Sequence, residues 1–458
     1  MYASDVQARC LFYRFASSFA TLWVDATSSD VFVAPPRGEI VACMNSFFEG
    51  VRISGMLSIS RPLAGTVLLA ACGIVEPGST YSIPRAVTEP VPAGGTQRFT
   101  SITSGFFHSC GIDAEGRVWC WGDNQYRQSG LVDAGEVCDQ TSTCALRPVP
   151  LQTGLRFRAV SAGTTHSCAL TRDGAAYCWG GGYDSGRGML GNGKLSQSAT
   201  PLAIAEDLRF KSISAGGRIT CAISTDDQGY CWGLGGFTGD GRATDALTPS
   251  RVAGEHRFKA LQAGVLHACG ITTDGAAYCW GSNQNGELGN GSIGDRDLGS
   301  LAKESSPVPV RSDRRFQSIT TGGNHSCGIT LDGEAFCWGQ NHVGQLGTGA
   351  ASFPHTSPQL VTGGNLFKAV AAGTVHTCAL QRDGTARCWG GNWFGGIGDG
   401  TSSAANTGKE RPLATPVSGT RTFVQVAPGG SHTCALDGDG RVWCWGDRGR
   451  GQMGNGTS

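Results

Sequence analysis

Apolar and polar positions alternate over most of residues 90–458, and a helical period is weak throughout. Segments such as "FRAVSAG" (157–163) place apolar residues at alternating positions, as a half-buried strand does. Glycine-rich stretches separate these segments, and the sequence contains 71 glycines. The pattern predicts an all-β protein built from many short strands joined by tight turns.

A unit of two cysteines separated by nine residues occurs seven times. Successive units lie 48 to 58 residues apart, and a period near 50 residues indicates a propeller or a solenoid. Each copy contains Gly-x-x-His-x-Cys, a turn, Cys-Trp-Gly and a glycine-rich loop. The pairs are Cys110 with Cys120, Cys168 with Cys178, Cys221 with Cys231, Cys269 with Cys279, Cys327 with Cys337, Cys378 with Cys388, and Cys434 with Cys444.

The hairpin inside each copy suggests how its cysteines are used. In the second copy, "RDG" (172–174) is typical of a three-residue loop with glycine in the left-handed conformation. This loop places Cys168 opposite Cys178, close enough for a disulfide. Two other chemistries remain open: zinc binding by the cysteines and the histidine, and redox exchange, although no Cys-x-x-Cys is present. The third copy has Asp227 instead of the glycine, which leaves its register open.

Two stretches, "GTTHSCALTRDGAAYCWG" (163–180) and "GGNHSCGITLDGEAFCWGQNHVGQLGTG" (322–349), show which family the chain resembles. They are similar to the regulator of chromosome condensation repeat. The resemblance covers about residues 90–458 and implies a seven-bladed β-propeller of four-stranded blades. A segment of the type "TPVSGTRTF" (415–423) is expected after the last copy, but the sequence stops before it. The equivalent segment, "EPVPAGGTQRF", stands instead before the first copy, at 89–99. We therefore expect a strand near Pro90–Ala93 to complete the last blade.

The segment "MLSISRPLAGTVLLAAC" (56–72) resembles a bacterial lipoprotein signal, with Cys72 as the lipidated residue. Its apolar run is too short to span a bilayer. The predicted organisation is an over-extended start or leader (1–55), a signal peptide (56–71), the lipidated cysteine with a tether (72–88) and the propeller (89–458). Beyond Cys72 there are sixteen cysteines, which are the seven repeat pairs and an eighth pair, Cys138 with Cys144. An exported chain favours disulfides for all of them.

Histidine and tryptophan also recur in the repeat. Six copies have the histidine, and the third has Ile219 in its place, which argues against a ring of metal ligands. We expect each histidine to be structural and to form a hydrogen bond within its own blade. The tryptophan after each second cysteine is expected in the core. The histidines are His108, His166, His267, His325, His376 and His432.

The glycine-rich loops differ most between copies, so binding residues are expected there. Their variable positions fall on one rim of a propeller, where aromatic side chains are effective anchors for a partner. The alternative is that these side chains pack into the adjacent blade. Insertions at 131–146, 291–306 and 400–411 can flank such a site. The candidate binding residues are Tyr126, Tyr183, Phe237, His342, Trp393, Phe394 and Arg450.

The composition excludes some functions. The 36 basic and 36 acidic residues argue against nucleic-acid binding. No catalytic or cofactor motif is recognisable. The chain is therefore expected to be a monomeric, non-catalytic module that binds a protein or a glycan through one face. It is expected at the outer membrane or cell surface, held there only by the lipid anchor, with a periplasmic or secreted location as the alternative.

Three other functions remain open. The first is inhibition of a secreted enzyme such as a β-lactamase, because the resembled family includes such an inhibitor. The second is catalysis by a propeller lyase or hydrolase. The third is guanine-nucleotide exchange, which rests on the family name alone.

Overall fold

The computed structural model describes residues 30–32, 42–44, 86–132, 136–139, 142–182, 187–294, 303–402 and 410–458. The chain divides into two compact units, residues 1–82 and 83–458. In the first unit, β1 (Asp30–Phe32) and β2 (Ala42–Met44) form an antiparallel pair. The signal peptide and Cys72 lie outside the described residues, so both remain predictions. No helix among the described residues is long and apolar enough to cross a membrane.

The second unit is a seven-bladed propeller of antiparallel blades. Blade 1 contains β4 (Phe99–Ser104), β5 (His108–Asp113), β6 (Val118–Asp123), β7 (Glu136–Asp139) and β8 (Ser142–Pro150). Blade 2 contains β9 (Phe157–Ala162), β10 (His166–Thr171), β11 (Ala176–Gly180) and β12 (Ser198–Ile204). Blade 3 contains β13 (Phe210–Ala215), β14 (Ile219–Ser224), β15 (Gly229–Gly233) and β16 (Ala246–Arg251). In blade 1 the short β7 is an added outer strand beside β8.

Blades 4 to 7 repeat the same plan. Blade 4 contains β17 (Phe258–Ala263), β18 (His267–Thr272), β19 (Ala277–Ser282) and β20 (Lys303–Pro309), and blade 5 contains β21 (Phe316–Thr321), β22 (His325–Thr330), β23 (Ala335–Gly339) and β24 (His355–Leu360). Blade 6 contains β25 (Phe367–Ala372), β26 (His376–Gln381), β27 (Ala386–Gly390) and β28 (Arg411–Pro416). Blade 7 contains β29 (Gln425–Pro428), β30 (His432–Leu436), β31 (Val442–Asp447) and β3 (Ala86–Pro92).

The ring closes because β3 is the outer strand of blade 7. Ala86 lies opposite Asp447, and Val91 lies opposite Cys444. The prediction that an N-terminal strand completes the last blade is confirmed. Strand pairing begins at Ala86, within the last three residues of the predicted tether (72–88). The first strands of successive blades contact one another, and β29 contacts β4, so no edge is left open between the first and last blades.

Each repeat cysteine pair joins the second and third strands of its blade as a disulfide. The paired Cα atoms lie 4.0 to 4.1 Å apart, as in opposed residues of a non-hydrogen-bonded pair. These seven bridges join Cys110 and Cys120, Cys168 and Cys178, Cys221 and Cys231, Cys269 and Cys279, Cys327 and Cys337, Cys378 and Cys388, and Cys434 and Cys444. Cys138 and Cys144 form the eighth bridge.

The third copy keeps this register without a glycine in its hairpin turn. Asp227 stands at the glycine position and adopts the left-handed conformation with φ 70°. Aspartate tolerates that conformation better than most residues with a side chain. Cys221 therefore still lies opposite Cys231, which resolves the register that the sequence left open.

The hydrophobic core lies between blades as seven equivalent seams. In each seam, a phenylalanine and the repeat tryptophan of one blade pack with the disulfide of the preceding blade. All seven tryptophans are fully buried, as expected. The glycine after each tryptophan has a positive φ, for example 97° at Gly122. There the pairing with the outer strand shifts, as in a β-bulge.

Candidate interaction surface

The loops of the propeller divide between two faces, because the strands of a blade alternate in direction. The loop face carries the connections from first to second strand, such as 105–107, and from third to fourth strand, such as 340–354. The turn face carries the tight turns between second and third strands, such as 172–175, and the links to the next blade, such as 205–209. A partner that binds one face does not meet the other.

A ring of seven glycines forms the inner edge of the loop face. A Cβ atom on any of them would lie 2.0 to 2.8 Å from a carbonyl oxygen of the equivalent glycine in the next blade. At six of the seven seams, the following residue donates its N–H to that carbonyl; Thr164 to Gly216 at 3.0 Å is one example. These glycines allow the backbones to approach closely. They are Gly105, Gly163, Gly216, Gly264, Gly322, Gly373 and Gly429.

The repeat histidines link adjacent blades next to this ring. Each Nε2 lies 2.7 to 2.9 Å from a serine or threonine hydroxyl of another blade. His166 pairs with Thr220, whose hydroxyl donates to the carbonyl of Met189 at 2.9 Å. Since that hydroxyl has one hydrogen, His166 Nε2 is the donor. The expectation of a bond within the same blade was wrong, because the ring packs in the seam against the second strand of its neighbour.

The third blade shows how the chain replaces this link. Ile219 stands where the other copies have histidine, and the next blade has Ala268 where the others have serine or threonine. Both are fully buried in one apolar cluster. Replacing both partners of a buried hydrogen bond by apolar groups leaves no unsatisfied polar atom. This substitution indicates that the histidine–hydroxyl pair is a structural unit.

Burial keeps these histidines neutral. Desolvation lowers the pKa of His166, His267 and His376 from 6.5 to about 4. The pKa of His108, His325 and His432 falls to about 3, first through desolvation and then through repulsion by neighbouring histidines. Among the described residues, no three His, Cys, Asp or Glu side chains are grouped to hold a metal ion. The disulfide sulfurs also lack the thiolate that zinc binding requires.

One predicted rim residue lies inside the protein. Phe237 is 2% exposed and packs in the seam with Trp280. The blade 3 loop is shorter than the blade 5 loop. Phe237 therefore occupies the position that Gln345 has in blade 5, two residues before the glycine that contacts the core tryptophan of the next blade. Phe237 therefore cannot be a surface anchor. Aligning the loops on their glycine pairs, "GDG" at 239–241 with "GTG" at 347–349, would have found this.

The other predicted rim residues differ in exposure. His342 is exposed, whereas Tyr126 and the adjacent Trp393 and Phe394 are partly buried, and Tyr183 lies outside the described residues. Arg450 is also partly buried. Its guanidinium lies 4.3 Å from the ring centre of Phe107 and 3.5 Å from Asp123 of blade 1. Arg450 thus braces blade 7 against blade 1.

The most exposed apolar side chains of the loop face were not predicted individually. They all belong to connections between third and fourth strands, on this one face. Three of them lie in the predicted insertions 131–146 and 291–306. For the blade 5 loop, the aromatic–proline pair at 353–354 was the signal in the sequence that pointed to an exposed aromatic residue. They are Val132, Val137, Leu195, Ile293 and Phe353.

The turn face has a different chemistry. Arg209 lies 3.5 Å from Asp173 of the preceding blade, and Arg314 lies 3.4 Å from Glu334. In the described part of the chain, the turns and links of this face contain three exposed large hydrophobic residues, Leu331, Leu366 and Val424, against five in the loops of the other face. Exposed ion pairs contribute little binding energy. The loop face is the better candidate for an interaction surface.

The closed ring of seven blades built from one repeat makes this chain a seven-bladed repeat propeller with one loop-rich face. Comparison with known proteins identifies the family. The RCC1-like domain model matches residues 204–458, and the regulator of chromosome condensation (RCC1) repeat matches 99–128, 157–186 and 115–170. The chain belongs to the RCC1 repeat family.

Known proteins resemble this chain in sequence or in fold. The Ultraviolet-B receptor UVR8 of Arabidopsis thaliana is 30% identical over 369 residues, which are 79% of this chain and 68% of UVR8. Human WBSCR16 has 19% identity and a TM-score of 0.62, over 79% of this chain and 89% of that chain. A chain in the structure of Kap60 bound to yeast RCC1 (Prp20) has 19% identity and a TM-score of 0.60, over 86% of this chain and 97% of that chain.

Proposed function

We propose that this chain is an exported, lipid-anchored propeller that binds a partner protein through its loop face. The observation that carries the proposal is the set of five exposed apolar residues on that face. Exposed apolar side chains in variable surface loops are suited to anchor a partner protein. The yeast RCC1 structure with Kap60 supports protein binding as a role of the fold. The proposal assigns no catalytic step to the chain.

Export and anchoring rest on the chemistry of the cysteines. Eight disulfides suit an oxidising compartment, since reducing systems keep cytosolic thiols free. The lipoprotein-type segment before Cys72 supplies a route out of the cell and a membrane anchor. Intact mass spectrometry of the chain expressed with its leader in a bacterium tests both points. A lipidated Cys72 and sixteen oxidised cysteines are expected; an unmodified chain with free thiols would contradict export.

Protein binding is tested by capture on the immobilised full-length chain. Envelope and secreted fractions of the producing organism are applied, and each retained protein is identified, purified and titrated. We expect a partner with a dissociation constant below about 1 µM, because a standard-sized interface readily reaches that affinity. Hydrogen exchange then maps the contact, with protection expected in the loops 340–354 and not in the turns 172–175. Protection confined to the turn face would refute the assignment.

A further inference from the structure

Four loops between third and fourth strands are held by a buried asparagine that follows the core tryptophan by three residues. These are Asn124, Asn283, Asn341 and Asn392. In blade 5, the Asn341 amide nitrogen lies 3.0 Å from the carbonyl of Ala350 and 2.8 Å from the hydroxyl of Ser352. Its side-chain oxygen accepts the N–H of Leu346 at 3.0 Å. One buried side chain thus ties the beginning of the loop to its end.

In three of these loops, the residue directly after the tied segment is apolar and exposed. Phe353 follows Ser352 and is 86% exposed. Ile293 follows Ser292, whose carbonyl lies 3.1 Å from the Asn283 amide, and it is 40% exposed. In blade 1, the Asn124 amide nitrogen lies 3.4 Å from the carbonyl of Leu131, and the next residue, Val132, is 55% exposed. The recurring asparagine therefore presents an apolar side chain on a rigid support.

The tips of blades 4 and 5 belong to one patch. Gly291, two residues before Ile293, donates its N–H to the carbonyl of Thr356 at 2.8 Å, and Thr356 is three residues after Phe353. The blade 5 loop, residues 340–354, contains no Asp, Glu, Lys or Arg. The tip of blade 5 is therefore uncharged and carries the exposed phenyl ring of Phe353, whereas the Arg311 side chain lies beside Gly291 in the tip of blade 4.

We propose that Phe353 is a preorganised anchor that inserts into an apolar pocket of the partner protein, with Ile293 in contact at the edge of that pocket. This inference rests on the proposed function and specifies the partner: a folded protein with a cavity that accepts one aromatic ring, and whose rim is uncharged where it meets the blade 5 loop. Binding by a rigid loop avoids the entropy cost of ordering that loop. Aromatic side chains that fill pockets dominate binding energy at interfaces. A membrane fits the patch less well, because the loop lacks the basic residues that attract anionic lipids.

The test uses the purified partner from the capture experiment and three variants of the full-length chain. F353A should raise the dissociation constant about 30-fold or more, and I293A about 5-fold. L331A is the matched control, because Leu331 is 71% exposed but lies on the turn face. It should bind as the native chain does. All three side chains are exposed, so the unfolding temperatures should stay close to that of the native chain.

The outcomes separate this inference from the proposed function. If the partner binds F353A as tightly as the native chain, the anchor is wrong while protein binding stands. If no protein is captured, the proposed function fails, and the anchor fails with it. The remaining occupant, a lipid bilayer, is tested by sedimentation with phosphatidylcholine vesicles, with C72S versions of both chains so that the proposed lipid anchor does not bind them. Co-sedimentation of the native chain but not of F353A would show that the ring enters a bilayer, and it would overturn the protein pocket.

Discussion

Lowering the pH from 7 to 5 should destabilise the propeller through its six seam histidines. In the unfolded chain their pKa is about 6.5, whereas in the folded chain it is about 3 for His108 and about 4 for His166. Below pH 6.5 the unfolded state therefore binds protons that the folded state does not, and stability falls as the pH falls. Each histidine should lose about 1.9 kcal/mol over this interval, and six should lose about 11 kcal/mol. Carboxyl groups with a lowered pKa, such as Asp113, act only below about pH 4.

The chain itself supplies the matched variant. H166I/T220A copies the Ile219–Ala268 pair into another seam, and the carbonyl of Met189 still accepts the Trp232 N–H at 2.9 Å. With one titrating group removed, the loss between pH 7 and 5 should be smaller by about 2 kcal/mol. The single variant T220A leaves the His166 N–H buried without its acceptor and should cost about 1–3 kcal/mol at pH 7.

Guanidinium unfolding at both pH values, followed by tryptophan fluorescence without reductant, measures these differences. The dependence of unfolding on denaturant should be unchanged, which shows that the same surface is exposed. If the double variant and the native chain have the same pH dependence, the seam histidines do not control acid stability and the reasoning is refuted.

Three further variants test other features by thermal and denaturant unfolding. G163A places a Cβ 2.3 Å from a carbonyl oxygen and should cost about 2–4 kcal/mol, whereas G154A, which meets nothing within 4 Å, should be neutral. E287Q should raise the free energy of unfolding at pH 7, because burial raises the Glu287 pKa and equivalent loops use glutamine; the gain should disappear below about pH 4. C168A/C178A should cost about 2–3 kcal/mol, since the bridge restricts the unfolded chain.

Specific results would contradict each of these expectations. Equal stability of G163A and G154A would show that blade contact at the glycine ring is not tight. A lower stability of E287Q at pH 7 would indicate that Glu287 is stabilised as a carboxylate. An unchanged unfolding temperature for C168A/C178A would mean that the bridge adds nothing to an already rigid hairpin.

Much of the fold was predictable because the signals that specify it are local. Period-two alternation indicates strands, and a three-residue turn sets the cysteine register within ten residues of chain. The repeat period and the resemblance then led to seven blades, and the displaced end segment predicted closure by β3. The loop-face anchors were only partly predictable. Phe237 and Phe353 both lie in glycine-rich loops, and only an alignment of the loops on their glycine pairs separates the buried ring from the exposed one.

The sequence by itself determined the strands, the cysteine register in six of the seven copies, the blade number and the order in which the ring closes, since each depends on short-range pattern or on repetition. The tertiary structure alone decided which side chains form contacts between blades. Each histidine finds its hydroxyl in another blade, most of them about 50 residues further along the chain, and Arg450 meets Asp123 only because the ring closes. Loop length then decides which phenyl ring fills a seam. Whether a side chain is core or surface here depends on the neighbouring blade, and a local pattern carries no information about that neighbour.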